Sequence, residues 1–267
     1  MQVQIEGYGL FGRLISHSSN ILIIAQNSTS IDNLAASLFI EETLRSLNKD
    51  VHIVFKGELP DGFNNYSERI TSKIEPRKLI VSFNWHKNAV DRVSYKLEGD
   101  TFDFIINPKS HTIKKDDIQI KYRGFEADCV ITLGLKSLME LEDSEREYLA
   151  DKTIINIDVK KDNQLFGRLN FVNDNADSCC SLVAKLFEKI DISPPKPSVD
   201  HLLEGMRIAT NNFKSVLDPS TFEAAAYCVK IKKGYGEKLE TKESVAKPSI
   251  PKAWLSPKIY RSKQQAS

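Results

Sequence analysis

Short unbroken apolar runs alternate along this chain with longer stretches of helical periodicity. Ile21-Leu22-Ile23-Ile24, Val51-His52-Ile53-Val54-Phe55, Leu79-Ile80-Val81-Ser82-Phe83, Val130-Ile131-Thr132-Leu133 and Ile154-Ile155-Asn156-Ile157 are rich in β-branched residues. Runs of this length without a polar face suit parallel strands covered on both sides. Between the first two, Leu34, Leu38, Leu44 and Leu47 recur at helical spacing, with Glu41, Glu42 and Arg45 among the polar positions. Strand, helix and strand in this order predict a βαβ unit and hence a parallel sheet. One insert breaks the alternation: 92–97 and 101–106 flank Glu98-Gly99-Asp100 and read as an antiparallel hairpin. Beyond Ile157 the pattern turns helical, over 176–190, 201–211 and 219–230, with Pro219 suited to the first turn of the last helix. The expected fold class is α/β: a parallel sheet with flanking helices and an inserted β-hairpin over residues 1–235, its C-terminal part, 176–230, helical.

Composition adds little to that picture. The 267 residues are 41% hydrophobic and 27% charged, as in ordinary globular chains. That length allows one large domain or two small ones. A net charge of +1 argues neither for nor against nucleic acid. Its distribution matters more. From Lys230 onward ten basic residues face only Glu237, Glu240 and Glu243, so 236–267 is expected to form a disordered or extended basic tail. Trp254, Leu255, Ile259 and Tyr260 stand out within it. Either they dock on the chain's own surface, or they form a short motif for a protein partner with Trp254 and Tyr260 as anchors.

The four cysteines, Cys129, Cys179, Cys180 and Cys228, form no C-x-x-C pair. They read as reduced thiols, Cys129 and Cys228 buried in apolar runs, and point to a cytoplasmic location. Met1 to Glu6 lacks a charged segment followed by an apolar one, so no signal peptide is expected. The longest apolar run, Ile21 to Ala25, is too short to span a bilayer, and no membrane association is expected. The five histidines are scattered without metal-ligand spacing. Trp85, in Asn84-Trp85-His86-Lys87, reads as a core plug or a stacking surface for a base.

Two stretches carry more specific information. Ile21 to Ser37 contains a strand, the turn Gln26-Asn27-Ser28-Thr29-Ser30-Ile31-Asp32 and a helix with a small-residue start. Ile154 to Asn163 runs through Asp158-Val159-Lys160-Lys161 and is followed by Phe166-Gly167. Together with Val172 to Ser181 and Ala209-Thr210-Asn211-Asn212-Phe213, their order and spacing resemble the DHH phosphoesterases, closest to the RecJ-like and oligoribonuclease-like branch. In that family the first turn reads H-x-x-P-D-x-D and the later strand ends in D-H-H. The resemblance covers roughly residues 1–230 and implies a DHH-like domain.

The resemblance also implies what chemistry to look for. Active members hold two divalent ions, usually manganese, with Asp and His side chains, and the ions bridge a hydroxide and the scissile phosphate. Here Gln26 stands at the first histidine position, Ser30 at the first aspartate and Asp32 at the second. Gly134 follows a strand where a ligating aspartate is expected, and Asp158 precedes Val159 and Lys160 in place of two histidines. Two carboxylates remain, without an imidazole and with an ammonium beside one, so no metal cofactor is expected. Active members also carry a further C-terminal domain, often with a Gly-rich turn and a histidine. After Gly236 only the basic tail is visible, so that lid is expected to be missing. The leading expectation is a catalytically inactive homologue acting as a nucleotide-, phosphate- or protein-binding module. Ser28, Thr29, Ser30, Lys160 and Lys161 are its candidate anion-binding residues. Ser30 as a plain helix cap and Asp158–Lys160 as a surface pair are the structural alternatives. Two other functional readings remain: an active metal-dependent phosphoesterase on oligonucleotides or nucleotides, and a nucleic-acid accessory protein using the tail.

Overall fold

The computed structural model describes residues 2–26, 31–83, 90–109, 113–190 and 192–234. The apolar runs become the centre of a parallel sheet. β1 (Asn20–Gln26) pairs with β2 (Asp50–Lys56) on one side and with β8 (Cys129–Leu133) on the other. Beyond β2 lies the two-residue β3 (Ile70–Thr71), and beyond β8 lie β9 (Thr153–Asp158) and β10 (Leu169–Val172). The order is therefore β10-β9-β8-β1-β2-β3. Every side chain of β8 is buried, as expected for a strand covered on both faces.

Alternation of side chains sorts the strand residues into two cores. Ile21, Ile23, Ile53, Ile131 and Ile155 face α1 (Gln2–His17), α2 (Asp32–Ser46), α4 (Cys179–Lys189), α5 (Val199–Ala209) and α6 (Ser220–Lys233). Leu22, Ile24, Val54, Val130 and Ile154 face a smaller core closed by Leu141 and by Leu149 of α3 (Asp143–Leu149). Right-handed crossovers that run in opposite directions from the middle of the sheet place α2 and α3 on opposite faces. In α1, Phe11 and Ile15 are fully buried one turn apart. Gly7, Gly9 and Gly12 dilute the helical signal there, and the sequence pattern did not show this helix. Pro219 takes the N-cap position of α6 rather than its first turn.

The run 79–83 departs from expectation. β4 (Lys78–Ser82) joins no parallel sheet but pairs antiparallel with β7 (Gln119–Arg123), Leu79 opposite Tyr122 and Val81 opposite Ile120. Leu79 is 58% exposed. An apolar run states a preference for a pleated surface, and only distant partners decide which sheet supplies it. Between these strands comes the hairpin expected from the sequence, β5 (Val90–Glu98) with β6 (Thr101–Pro108), closed by Gly99 at a φ of +56° and Asp100. Residues 84–87, with Trp85, fall outside the described residues, as do 235–267 with Trp254, Leu255, Ile259 and Tyr260. Among the described residues no helix is long and apolar enough to cross a membrane.

All four cysteines are buried and unpaired. Burial pushes the Cys129 thiol up to about 11 and the Cys228 thiol to about 12, and raises Cys179 and Cys180 as well. Thiolate is the reactive species, so at pH 8 the native chain should react with a disulfide reagent about 100-fold more slowly than the unfolded chain. Four thiols should titrate in denaturant. A fast native-state burst of even one would place a cysteine at an open surface and contradict this packing.

Candidate functional site

The order of strands reverses between β1 and β8: β1 continues through α2 to β2 on one side, while β8 leads through α3 to β9 on the other. Open α/β sheets place ligands at such a reversal, outside the carboxyl ends of the strands. Gln26 closes β1, Gly134 follows β8, and Asp158 closes β9 with Val159 and Lys160 behind it. Asp32 opens α2, the helix that follows β1 in the chain. The parallel register of β1, β8 and β9 thus gathers residues more than a hundred positions apart at one sheet edge.

Each carboxylate is engaged by the protein itself. Asp32 is 5% exposed and accepts the backbone N–H of Cys179 at 2.6 Å and of Cys180 at 2.9 Å. Ser178 Oγ accepts the N–H of Ser181 at 3.0 Å, and the Ser178 carbonyl accepts that of Leu182 at 3.3 Å. The four N–H groups that open α4 are therefore all satisfied, two of them by Asp32. Burial raises the Asp32 pKa, and the bonds from Cys180 and Cys179 offset part of that rise.

Asp158 is fully buried. Its Oδ1 accepts the N–H of Val159 at 2.8 Å, and its Oδ2 accepts Asn163 Nδ2 at 2.7 Å. Asn163 also donates to the Leu135 carbonyl at 2.9 Å and accepts from Asn156 Nδ2 at 2.8 Å. Asn156 in turn accepts from Thr132 Oγ1 at 3.1 Å. A continuous polar network therefore runs behind the sheet edge.

The remaining positions are filled less evenly. Gly134 has a φ of +70°, and a Cβ there would lie 2.1 Å from Asn33 Nδ2. Asn33 fills that slot and donates to the Gln26 carbonyl at 3.0 Å. The Oε1 of Gln26 is buried and has no hydrogen-bond partner among the described residues. Lys160 Nζ donates to the Gly134 carbonyl at 2.6 Å, bridging the ends of β8 and β9. A surface pair between Asp158 and Lys160 is thus corrected: Asp158 lies inside, with one hydrogen bond from its own loop to each carboxylate oxygen, and Lys160 turns to a backbone oxygen. Lys161 is exposed.

Cys179 lies in the electrostatic field of all three charged groups. Burial raises its pKa, the charges of Asp32 and Asp158 raise it further, and Lys160 opposes them. Residues 28–30 fall outside the described residues, and the N-cap position of α2 is Ile31, with no side-chain cap. At the other family-like stretch, Thr210 is buried and turns back on the Met206 carbonyl at 2.7 Å, followed by Asn211, Asn212 and Phe213 at positive φ. The sequence pattern missed Asn33 and the part played by Cys179. Asn163 was visible as a motif position, but its grip on Asp158 was not. Among the described residues, no group of three or more His, Cys, Asp or Glu side chains is placed to hold a metal ion.

No family model matches this sequence, and no curated protein does. Among solved structures, an exopolyphosphatase-related protein from Bacteroides fragilis superposes with a TM-score of 0.58 at 15% identity, covering 90% of this chain and 62% of that one. The chain shares the fold of that protein. A manganese-bound exonuclease RecJ is also similar, at 12% identity and a TM-score of 0.42 over 88% of this chain and 52% of that one. This chain thus spans less than two thirds of the length of either neighbour. The sheet edge described above holds the residues singled out in the sequence, and both of its carboxylates accept hydrogen bonds from the chain itself.

Proposed function

We propose that this chain is a catalytically inactive DHH-like homologue that serves as a binding module. One observation carries the reading: the carboxylate of Asp32 caps α4 through two backbone N–H groups, rather than facing a cleft. Asp158 is held likewise by Val159 and Asn163. Two manganese ions need several anionic or imidazole donors. The residues present do not fit that group, because both carboxylates have structural partners and an ammonium lies at the strand ends. No metal-dependent step is therefore derived. For a bound phosphate or nucleotide, Lys160 offers positive charge at the sheet reversal, with Lys161 next to it and Ser28, Thr29 and Ser30 as the other expected contacts.

Hydrolysis of bis-p-nitrophenyl phosphate and of a short RNA, with and without manganese, tests the first part. The expected result is a rate equal to the metal-only blank, unchanged by Asp158→Ala. Manganese-dependent turnover that disappears in Asp158→Ala would establish an active phosphoesterase instead. Calorimetric titration with phosphate, mono- and dinucleotides tests the second part, with heat expected for one of them and lost in Lys160→Met. Silence for all would leave protein binding as the module's role.

A further inference from the structure

The β5–β6 hairpin exposes one apolar face. Cross-strand pairing sets Val93 against Ile106, Tyr95 against Phe104 and Leu97 against Phe102, all on the same side. Tyr95 stacks on Phe102 with ring centroids 5.5 Å apart. Tyr95 is 68% exposed, Leu97 69%, and Phe102 and Phe104 59% each. Aromatic side chains carry roughly 150–250 Å² apiece, so the uncovered face is on the order of 500 Å², large enough to call for a cover. The opposite side is mostly polar, with Arg92, Ser94, Lys96, Glu98 and Asp103 and one apolar residue, Ile105, so the continuous apolar face is the one built by Tyr95 and its neighbours.

Charge selects the cover. Of the charged residues in 90–108, Arg92, Lys96, Glu98 and Asp103 lie on the opposite side, where Lys96 pairs with Glu98, while Asp91 at the base and Asp100 in the turn stand at the two ends of the apolar face. An acidic rim repels nucleic acid despite the stacking rings. It also repels a second copy of itself laid face to face. A basic segment with apolar anchors is the matching chemistry. The chain contains one: 251–263 holds Trp254, Leu255, Ile259 and Tyr260 together with Lys252, Lys258, Arg261 and Lys263, and no acidic residue. Between Gly234 and Pro251 the chain has a reach of roughly 3.3–3.6 Å per residue, enough to cross a domain of this size.

We propose that the segment 251–263 covers the apolar face of the β5–β6 hairpin of the same chain. This surface is separate from the sheet edge discussed under the proposed function, and the two readings stand or fall independently. It also gives a use to two features that the DHH-like fold leaves unexplained.

The test is the fluorescence of Trp254 in full-length chain carrying Trp85→Phe, which leaves one tryptophan. Its emission should be blue-shifted, and its quenching by acrylamide several-fold weaker than in a synthetic 249–263 peptide. Replacing Tyr95 and Phe104 together by Lys should return quenching to the peptide level. A second variant leaves the hairpin untouched and reverses Lys252, Lys258, Arg261 and Lys263 to Glu; it should have the same effect. Protection should not depend on protein concentration. Trp254 as accessible as in the peptide would overturn the proposal, and so would protection that appears only as the chain dimerises.

Discussion

Gly134→Asp, the change that returns a carboxylate to the end of β8, is expected to destabilise the chain rather than rebuild a metal site. Gly134 has a φ of +70°, and any Cβ there meets Asn33 Nδ2 at 2.1 Å and its Cγ at 2.7 Å. The left-handed conformation costs an L-residue roughly 1–2 kcal/mol, and forcing a side chain into packed space adds about 1–3 kcal/mol. At about 2–4 °C per kcal/mol for a chain of this size, the melting temperature should fall by roughly 5–15 °C. Asn33 cannot give way cheaply, because its amide bonds the Gln26 carbonyl at the end of β1. The double variant Gly134→Asp with Asn33→Gly should recover part of the loss, whereas Asn33→Gly alone should be destabilising. Thermal unfolding of the three variants settles the matter. A Gly134→Asp chain that melts within a degree or two of the parent would mean that the slot is not filled as described.

This pair of residues also shows where reading the sequence stops. The apolar runs at 21–24, 51–55, 130–133 and 154–157 were legible as parallel strands because both faces of each are buried, and burial writes itself into a continuous run. The hairpin at 92–106 was legible because alternation and a Gly99-Asp100 turn are local signals. The run at 79–83 was misread for the converse reason: its partner, β7, is nearly forty residues away. At the site, motif spacing singled out Gln26, Asp32, Gly134 and Asp158, which lie together at the sheet edge. It could not say what those side chains touch. Asn33 sits one residue after Asp32 with nothing unusual in its neighbourhood, and its role depends on Gly134, a hundred positions on. That Asp32 would cap α4 was equally out of reach, because Cys179 and Cys180 come to it only through the packing of α4 on α2.

That last contact supplies the sharper experiment. In Asp32→Ala the N–H groups of Cys179 and Cys180 stay buried and lose their acceptor. Leaving a buried donor unpaired costs about 1–3 kcal/mol, and a carboxylate at a helix N-terminus adds a favourable charge–dipole contact. A loss of roughly 3–6 kcal/mol is expected, measured as the change in unfolding free energy in urea. Asp32→Asn keeps one acceptor oxygen and should lose less than half as much. The two also differ in pH dependence. Burial raises the folded-state pKa of Asp32 above its unfolded value. Its linkage contribution is therefore complete below the ordinary carboxylate range and is lost as the pH rises through the raised value. The stability of the parent relative to Asp32→Asn should fall across that window and be flat on either side. A metal-ligating carboxylate predicts the opposite sign for the alanine change. Such a group is held close to other acidic ligands, and in the absence of metal its removal relieves repulsion, leaving the protein as stable as before or more so. The direction of one stability difference thus separates a residue kept for the fold from one kept for catalysis.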